Sequence, residues 1–128
     1  MLLLDTCTIL WLAGQQTSLS HQAKKLINKH SDALFMSVIS GFEIGVKQQQ
    51  GLLTLPMSAS EWIEEVCESH GIIPLSMDLK IAVKATQLPL LHRDPADRII
   101  IATAILHHLS IITPDKHIDA YKEIKTLW

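Results

Sequence analysis

The stretch Leu2-Leu3-Leu4-Asp5-Thr6 decides the fold. Three apolar residues in succession, too few for a helix and with no polar alternation, suit a strand buried on both faces of a parallel sheet. The run ends at a carboxylate. Leu34-Phe35-Met36-Ser37-Val38 and Ile111-Ile112-Thr113 have the same form. Ile72-Ile73-Pro74-Leu75 is a fourth strand, expected at an edge because Pro74 has no N–H for a ladder, and a last strand is expected over residues 124–128. The segments between predict helices. A brief one runs from Thr8 to Ala13, followed by a loop at residues 14–18, and Ser20 caps another that carries Ala23, Leu26 and Ile27. Ser37 or Ser40 starts the helix of Phe42, Glu43, Ile44, Val46 and Lys47. Ser58 and Glu61 have capping-box spacing ahead of Trp62, Ile63, Val66 and Cys67, with Gly71 as the stop. Ser76 is expected to cap the helix of Ile81, Ala82 and Ala85. Asp94-Pro95 opens one that runs to about His108, with His107 at its end. Short buried strands alternating with helices predict the α/β class, a parallel sheet covered on both faces, in one continuous domain over residues 1–128.

Composition narrows the function classes. The 128 residues carry eleven Lys and Arg against thirteen Asp and Glu, a formal charge of -2. This excludes a strongly basic nucleic-acid binder, so any polyanion must be held by something other than bulk charge. No apolar run approaches the roughly 20 residues of a membrane span, and the N-terminus lacks the pattern of a signal peptide. Cys7 and Cys67 stand sixty positions apart, without the spacing of a disulfide framework or zinc site. A soluble protein of the reducing cytoplasm is expected.

The acidic residues carry the chemistry. In open α/β sheets ligands bind at the carboxyl ends of the strands, where Asp5 and Asp115 both fall. Glu43 lies early in its helix and Asp97 in the first turn of the helix begun by Pro95. Two like charges about 4 Å apart repel by roughly 4 kcal/mol at an effective dielectric of 20. A hard divalent cation such as Mg²⁺ would relieve that, with Mn²⁺ as an alternative, and would let a protein of charge -2 engage nucleic acid.

Leu2-Leu3-Leu4-Asp5-Thr6, the helical Glu43 with Lys47, His92-Arg93-Asp94-Pro95-Ala96-Asp97-Arg98, Thr113-Pro114-Asp115 and the closing Leu127-Trp128 occur in an order and spacing that resembles the PIN-domain ribonucleases of the VapC toxin family. The resemblance spans nearly the whole chain. It implies a PIN-like domain, a three-layer α/β/α fold whose short central parallel sheet is flanked by helices. It also implies a metal-dependent endoribonuclease acting on RNA, a small antitoxin partner, and a homodimer. The family acids map onto Asp5, Glu43, Asp97 and Asp115, with Asp5, Asp97 and Asp115 as metal ligands and Glu43 assisting. Asp94 is a fifth candidate, Thr6 and Thr113 could position water or phosphate, and Arg93 and Arg98 could pair with RNA phosphates.

Plainer roles compete with these. Asp94 before Pro95 is a natural helix N-cap, and Asp97 is favoured in a first turn by the macrodipole. Asp5 could be a solvated turn residue with no helix to cap, and Glu43 a surface acid, although Phe42 and Ile44 make its helix look largely buried. The seven histidines read as surface or helix-end residues and Cys7 as a core filler. Trp11, Leu12, Trp62 and Ile63 are core residues or the lining of an antitoxin or subunit groove. Two other functions stay open: a non-catalytic metal- or RNA-binding module, and a phosphoryl-transfer domain with Asp5 as acceptor, although the latter's second acid is missing.

Overall fold

A computed structural model describes residues 1–128. Its centre is β1 (Leu2–Leu4), flanked by β2 (Leu34–Ser37) and β4 (Ser110–Ile112), with β3 (Ile72–Leu75) and β5 (Thr126–Leu127) at the edges. All four pairings are parallel, in the order β3-β2-β1-β4-β5. Leu3 stands opposite Phe35 on one side and Ile111 on the other. Pro74 lies on an edge strand, as its missing N–H requires.

The helices are α1 (Thr6–Gly14), α2 (His21–Lys29), α3 (Val38–Gln49), α4 (Ala59–His70), α5 (Leu79–Gln87), α6 (Pro95–His107) and the single turn α7 (Lys116–Asp119). Successive strand residues face opposite sides. Leu2, Leu4, Leu34, Met36 and Ile112 therefore join Ile9, Ala23, Ile27, Ile44 and Trp62 in one core. Leu3 and Ile111 join Ile100, Ile101, Ala104 and Ile118 in the other. This is why β1 has no polar residue: both faces are dry. Each such Leu or Ile contributes on the order of 2 kcal/mol of burial. The result is the expected three layers.

Local details differ from the expectations where a cap decides. Helix α1 begins at Thr6 rather than Thr8 because the Asp5 side chain accepts from the Thr8 N–H. Residues 16–18 form a 3₁₀ turn within the expected loop. Ser37, not Ser40, caps α3, and Asp78, not Ser76, caps α5 by accepting from Ile81 N at 2.9 Å. Gly71 closes α4 at φ +66, a left-handed value that glycine adopts without strain.

One topological feature positions the site. The chain builds the sheet outward from β1 through β2 to β3, then crosses back to lay β4 and β5 on the other side. The reversal lies between β1 and β4, and the crevice at their carboxyl ends is where such sheets bind ligands. Asp5 follows one of these strands, and Thr113 and Asp115 follow the other.

Candidate active site

Asp5 is only 4% exposed. Its Oδ1 accepts the Thr8 N–H at 2.9 Å, and the Cys7 thiol lies 3.3 and 3.4 Å from its two oxygens. Burial raises its pKa above the ordinary 3.8, although hydrogen bonds from Thr113, Thr8 and Cys7 pull the other way. Asp97, in the first turn of α6, has its pKa raised to about 6. Desolvation is the largest cause, the Asp94 carboxylate the next, and Glu43 adds to it, while His92 opposes. The Cys7 thiol is pushed up by burial, then by Asp5, and further by Asp97. One thiol thus senses both acids, so they share a locality although 92 positions separate them in sequence.

Glu43 reaches the same locality from α3. It pairs loosely with Lys47 at 3.7 Å, and its Oε1 is buried without a hydrogen-bond partner. Asp115 caps α7, accepting from His117 N at 2.8 Å, and its Oδ2 lies 3.5 Å from His92 Nε2. That same Nε2 is 2.7 Å from Asp97 Oδ2. The Thr113 hydroxyl oxygen accepts the Asp115 N–H at 3.1 Å, and the same side chain lies near enough to Asp5 to favour its charged form. His92, Asp97 and Asp115 thus each bring one ligand atom within 4.8 Å of the others, and Asp5 and Glu43 lie near enough to influence the same locality from α1 and α3.

Other expected residues lie elsewhere or do something else. Arg98 does not face an RNA groove. It is 9% exposed, and its guanidinium donates to the backbone carbonyls of Ala85, Leu88, Pro89 and His92 at 2.8–3.0 Å, which removes it from phosphate binding. Thr6 is buried and shares a 2.9 Å hydrogen bond with the Ser40 hydroxyl, linking α1 to α3. Asp94 caps α6 by accepting from Asp97 N at 3.1 Å, and Arg93 is exposed beside it. Phe42 is 68% exposed, so the Glu43 helix is buried on the Ile44 side alone. Leu12 and Trp62 belong to the core, whereas Trp11 is half-buried against Trp128 at a ring separation of 5.6 Å. Asp5 is neither solvated nor idle, since it is buried and caps α1. His92 was expected at the surface and instead stands between Asp97 and Asp115; its one sequence signal is its place in the run that ends at Asp97.

A family model described as "PIN domain" matches residues 2–124. The chain belongs to the PIN-domain family. This PIN domain is 31% identical over 132 aligned positions to Ribonuclease VapC22 of Mycobacterium tuberculosis, covering 98% of this chain and 97% of that one. Its fold is similar to that of a chain in a toxin-antitoxin complex from Klebsiella pneumoniae, with a TM-score of 0.68 and 20% identity, over 100% of this chain and 97% of that chain. DNA-bound VapBC from Salmonella typhimurium gives 0.73 at 15% identity, and VapBC2 from Rickettsia felis bound to a promoter DNA fragment gives 0.75 at 10% identity. Each of these two alignments covers 98% of this chain and 96% of the other.

The acidic edge of this PIN domain fits a divalent metal ion. The donors are hard carboxylate oxygens, as Mg²⁺ and Mn²⁺ prefer. Glu43 Oε1 is buried with nothing to bond, and such a group costs about 1–3 kcal/mol unless something satisfies it. Asp5 and Asp97 hold their protons more tightly than free carboxylates do, and a cation among them would reverse that. No helix is long and apolar enough to cross a membrane.

Proposed function

We propose that this PIN domain is a metal-dependent endoribonuclease that hydrolyses phosphodiester bonds of RNA, and the toxin of a toxin-antitoxin pair. What supports the reading is the acidic edge beside the switch point of the sheet, where Asp97 and Asp115 meet at His92 and Asp5 and Glu43 lie nearby. The likeness to Ribonuclease VapC22 supports RNA as the substrate class, and the toxin-antitoxin complexes among its structural relatives support a protein partner. Asp5, Asp97 and Asp115 would hold Mg²⁺, or Mn²⁺ in its place. A divalent ion there supplies charge to polarise the scissile phosphate, to acidify a bound water and to steady the leaving oxygen.

The chain's own residues do the rest. Glu43, with one oxygen free of protein partners, accepts the proton of the attacking water. Thr113 holds the backbone of Asp115 and stabilises the charged form of Asp5 beside it. Arg93, exposed at the rim, contacts backbone phosphate and carries no base specificity. No covalent intermediate is needed. The antitoxin is assigned to the open groove of about 550 Å³ lined by Leu10, Trp11, Leu53, Leu55, Pro56 and Trp62, and a homodimer is the expected assembly on the commonness of two-fold oligomers. The test is cleavage of RNA in Mg²⁺ or Mn²⁺ by wild type, Asp5→Asn and Asp97→Asn. Metal-dependent cutting by wild type alone is expected; equal, metal-independent cutting by all three would refute the site.

A further inference from the structure

The segment between α5 and α6 has no regular structure, and it exposes Leu90 and Leu91. It is nevertheless pinned. Arg98 Nη2 donates to Ala85 O at 2.8 Å and Leu88 O at 2.9 Å, and Nη1 to Pro89 O and His92 O, both at 3.0 Å. The Tyr121 hydroxyl donates to Pro89 O at 2.7 Å and accepts the His92 N–H at 3.0 Å. The Arg98 guanidinium takes part in none of the chain's ion pairs. Burying a charge on backbone carbonyls and the Tyr121 hydroxyl, with no counter-charge, is a poor route to stability, because desolvation offsets much of the gain. What the arrangement achieves is placement: the bonds tie the end of α5 to the few residues that carry His92.

The two nitrogens of the ring so placed face groups of opposite character. Asp94 N–H approaches Nδ1 at 3.4 Å, which favours the tautomer with its proton on Nε2, a donor rather than a metal ligand. Nε2 lies 2.7 Å from Asp97 Oδ2 and 3.5 Å from Asp115 Oδ2, aligned squarely with neither. The Nε2 edge of the ring therefore faces two carboxylates that arrive on different elements. Each carboxylate keeps lone pairs for a cation, since an ionised carboxyl has about four acceptor positions.

We propose that His92 is a positioning residue for the acidic pocket: its ring clamps Asp97 to Asp115, and Arg98 with Tyr121 holds the ring in place. The inference rests on the nuclease reading above. Hydrogen-bonding partners of metal ligands typically change metal affinity by about 10–100-fold when removed. Mn²⁺ binding to the full chain is measured by calorimetry, and RNA cleavage by steady-state kinetics, for wild type, His92→Ala, His92→Gln and Tyr121→Phe. His92→Ala is expected to weaken Mn²⁺ binding at least about ten-fold and to lower kcat with little change in KM for RNA. His92→Gln, which keeps an N–H donor, recovers part of both. Tyr121→Phe touches no carboxylate and is expected to weaken Mn²⁺ in the same direction by a smaller factor, with unchanged circular dichroism. A purely structural role would lower the melting temperature and leave the Mn²⁺ affinity of the folded protein alone. Equal or tighter Mn²⁺ binding by His92→Ala overturns the proposal, since the ring would then be idle or a competitor for the ion's seat. If wild type neither binds Mn²⁺ nor cuts RNA, the nuclease reading fails and the clamp with it. If wild type does both and His92→Ala matches it, the clamp alone fails.

Discussion

Replacing Asp97 by Asn should make the metal-free protein more stable at neutral pH and no more stable in acid. The Asp97 carboxyl has its pKa raised from 3.8 to about 6, chiefly by desolvation and then by Asp94. The folded state thus binds this proton more tightly than the unfolded chain. Below about pH 4 the group is neutral in both states and nothing is lost. Between about pH 4 and 6 the penalty for ionising it in the fold grows, and above 6 it is fully present. At about 1.4 kcal/mol per pH unit the whole effect is about 3 kcal/mol. Two effects reduce it. About a fifth of the side chain meets solvent, and a charge in the first turn of α6 is attracted to the helix N-terminus by about 0.3–1 kcal/mol. A net gain of about 1–2 kcal/mol remains, or roughly 3–8 °C in Tm for a chain of this size. Thermal and urea unfolding in EDTA at pH 4 and pH 7.5 would measure it. Excess Mn²⁺ should reverse the order, since a ligand at about 100 times its Kd adds about 2.7 kcal/mol to wild type. A variant less stable than wild type at pH 7.5, or a gain of equal size at both pH values, would refute the argument.

Three further outcomes follow from the same geometry. Arg98→Ala strips the donors from the carbonyls of Ala85, Leu88, Pro89 and His92 and should cost at least about 3 kcal/mol by urea titration. Glu43→Gln removes a loose pair with a part-exposed Lys47, worth under about 1 kcal/mol, so its Tm should hold while RNA cleavage falls about 10²-fold or more. Leu3→Ala opens a cavity at a fully buried position in the central strand and should lower the unfolding free energy by about 2–5 kcal/mol.

The strands were legible because burial on two faces leaves no choice of residue: Leu2-Leu3-Leu4 and Ile111-Ile112 admit one reading. Pro74 announced its edge for a similarly local reason. The caps were less legible, since Ser76 and Asp78 are both good N-caps two positions apart, and only the register of Ile81 and Ala85 against α6 selects Asp78. Phe42 misled because an aromatic beside an apolar neighbour implies burial, whereas α3 turns it to the surface. Arg98 and His92 failed for one common reason. Their partners are backbone carbonyls, Tyr121, Asp97 and Asp115, and no spacing along the sequence reports contacts that distant loops create. An arginine beside acids in a nucleic-acid enzyme suggests phosphate, but this one is enclosed by the end of α5.

The contest between capping and chemistry for the acidic residues dissolves once the helix ends are placed. Asp5 caps α1 through Oδ1, and Asp115 caps α7 the same way, while Asp97 sits in the first turn of α6 behind its own cap, Asp94. A helix N-terminus carries roughly half a positive charge, and two full helices, α1 and α6, begin at this edge. Their N–H groups offset part of the repulsion that would otherwise drive the carboxylates apart, and helix N–H groups fix the Asp5 and Asp115 carboxyls by one oxygen while leaving acceptor positions on the other. The same bonds that begin α1 and α7 therefore preorganise Asp5 and Asp115. An Asp5→Ser change tests this directly: serine keeps an N-cap and loses the charge, so α1 and the fold should survive, with stability within about 1 kcal/mol of wild type, while Mn²⁺ binding is lost. Loss of the fold would mean that the carboxylate at this position is needed by the helix rather than by a metal ion.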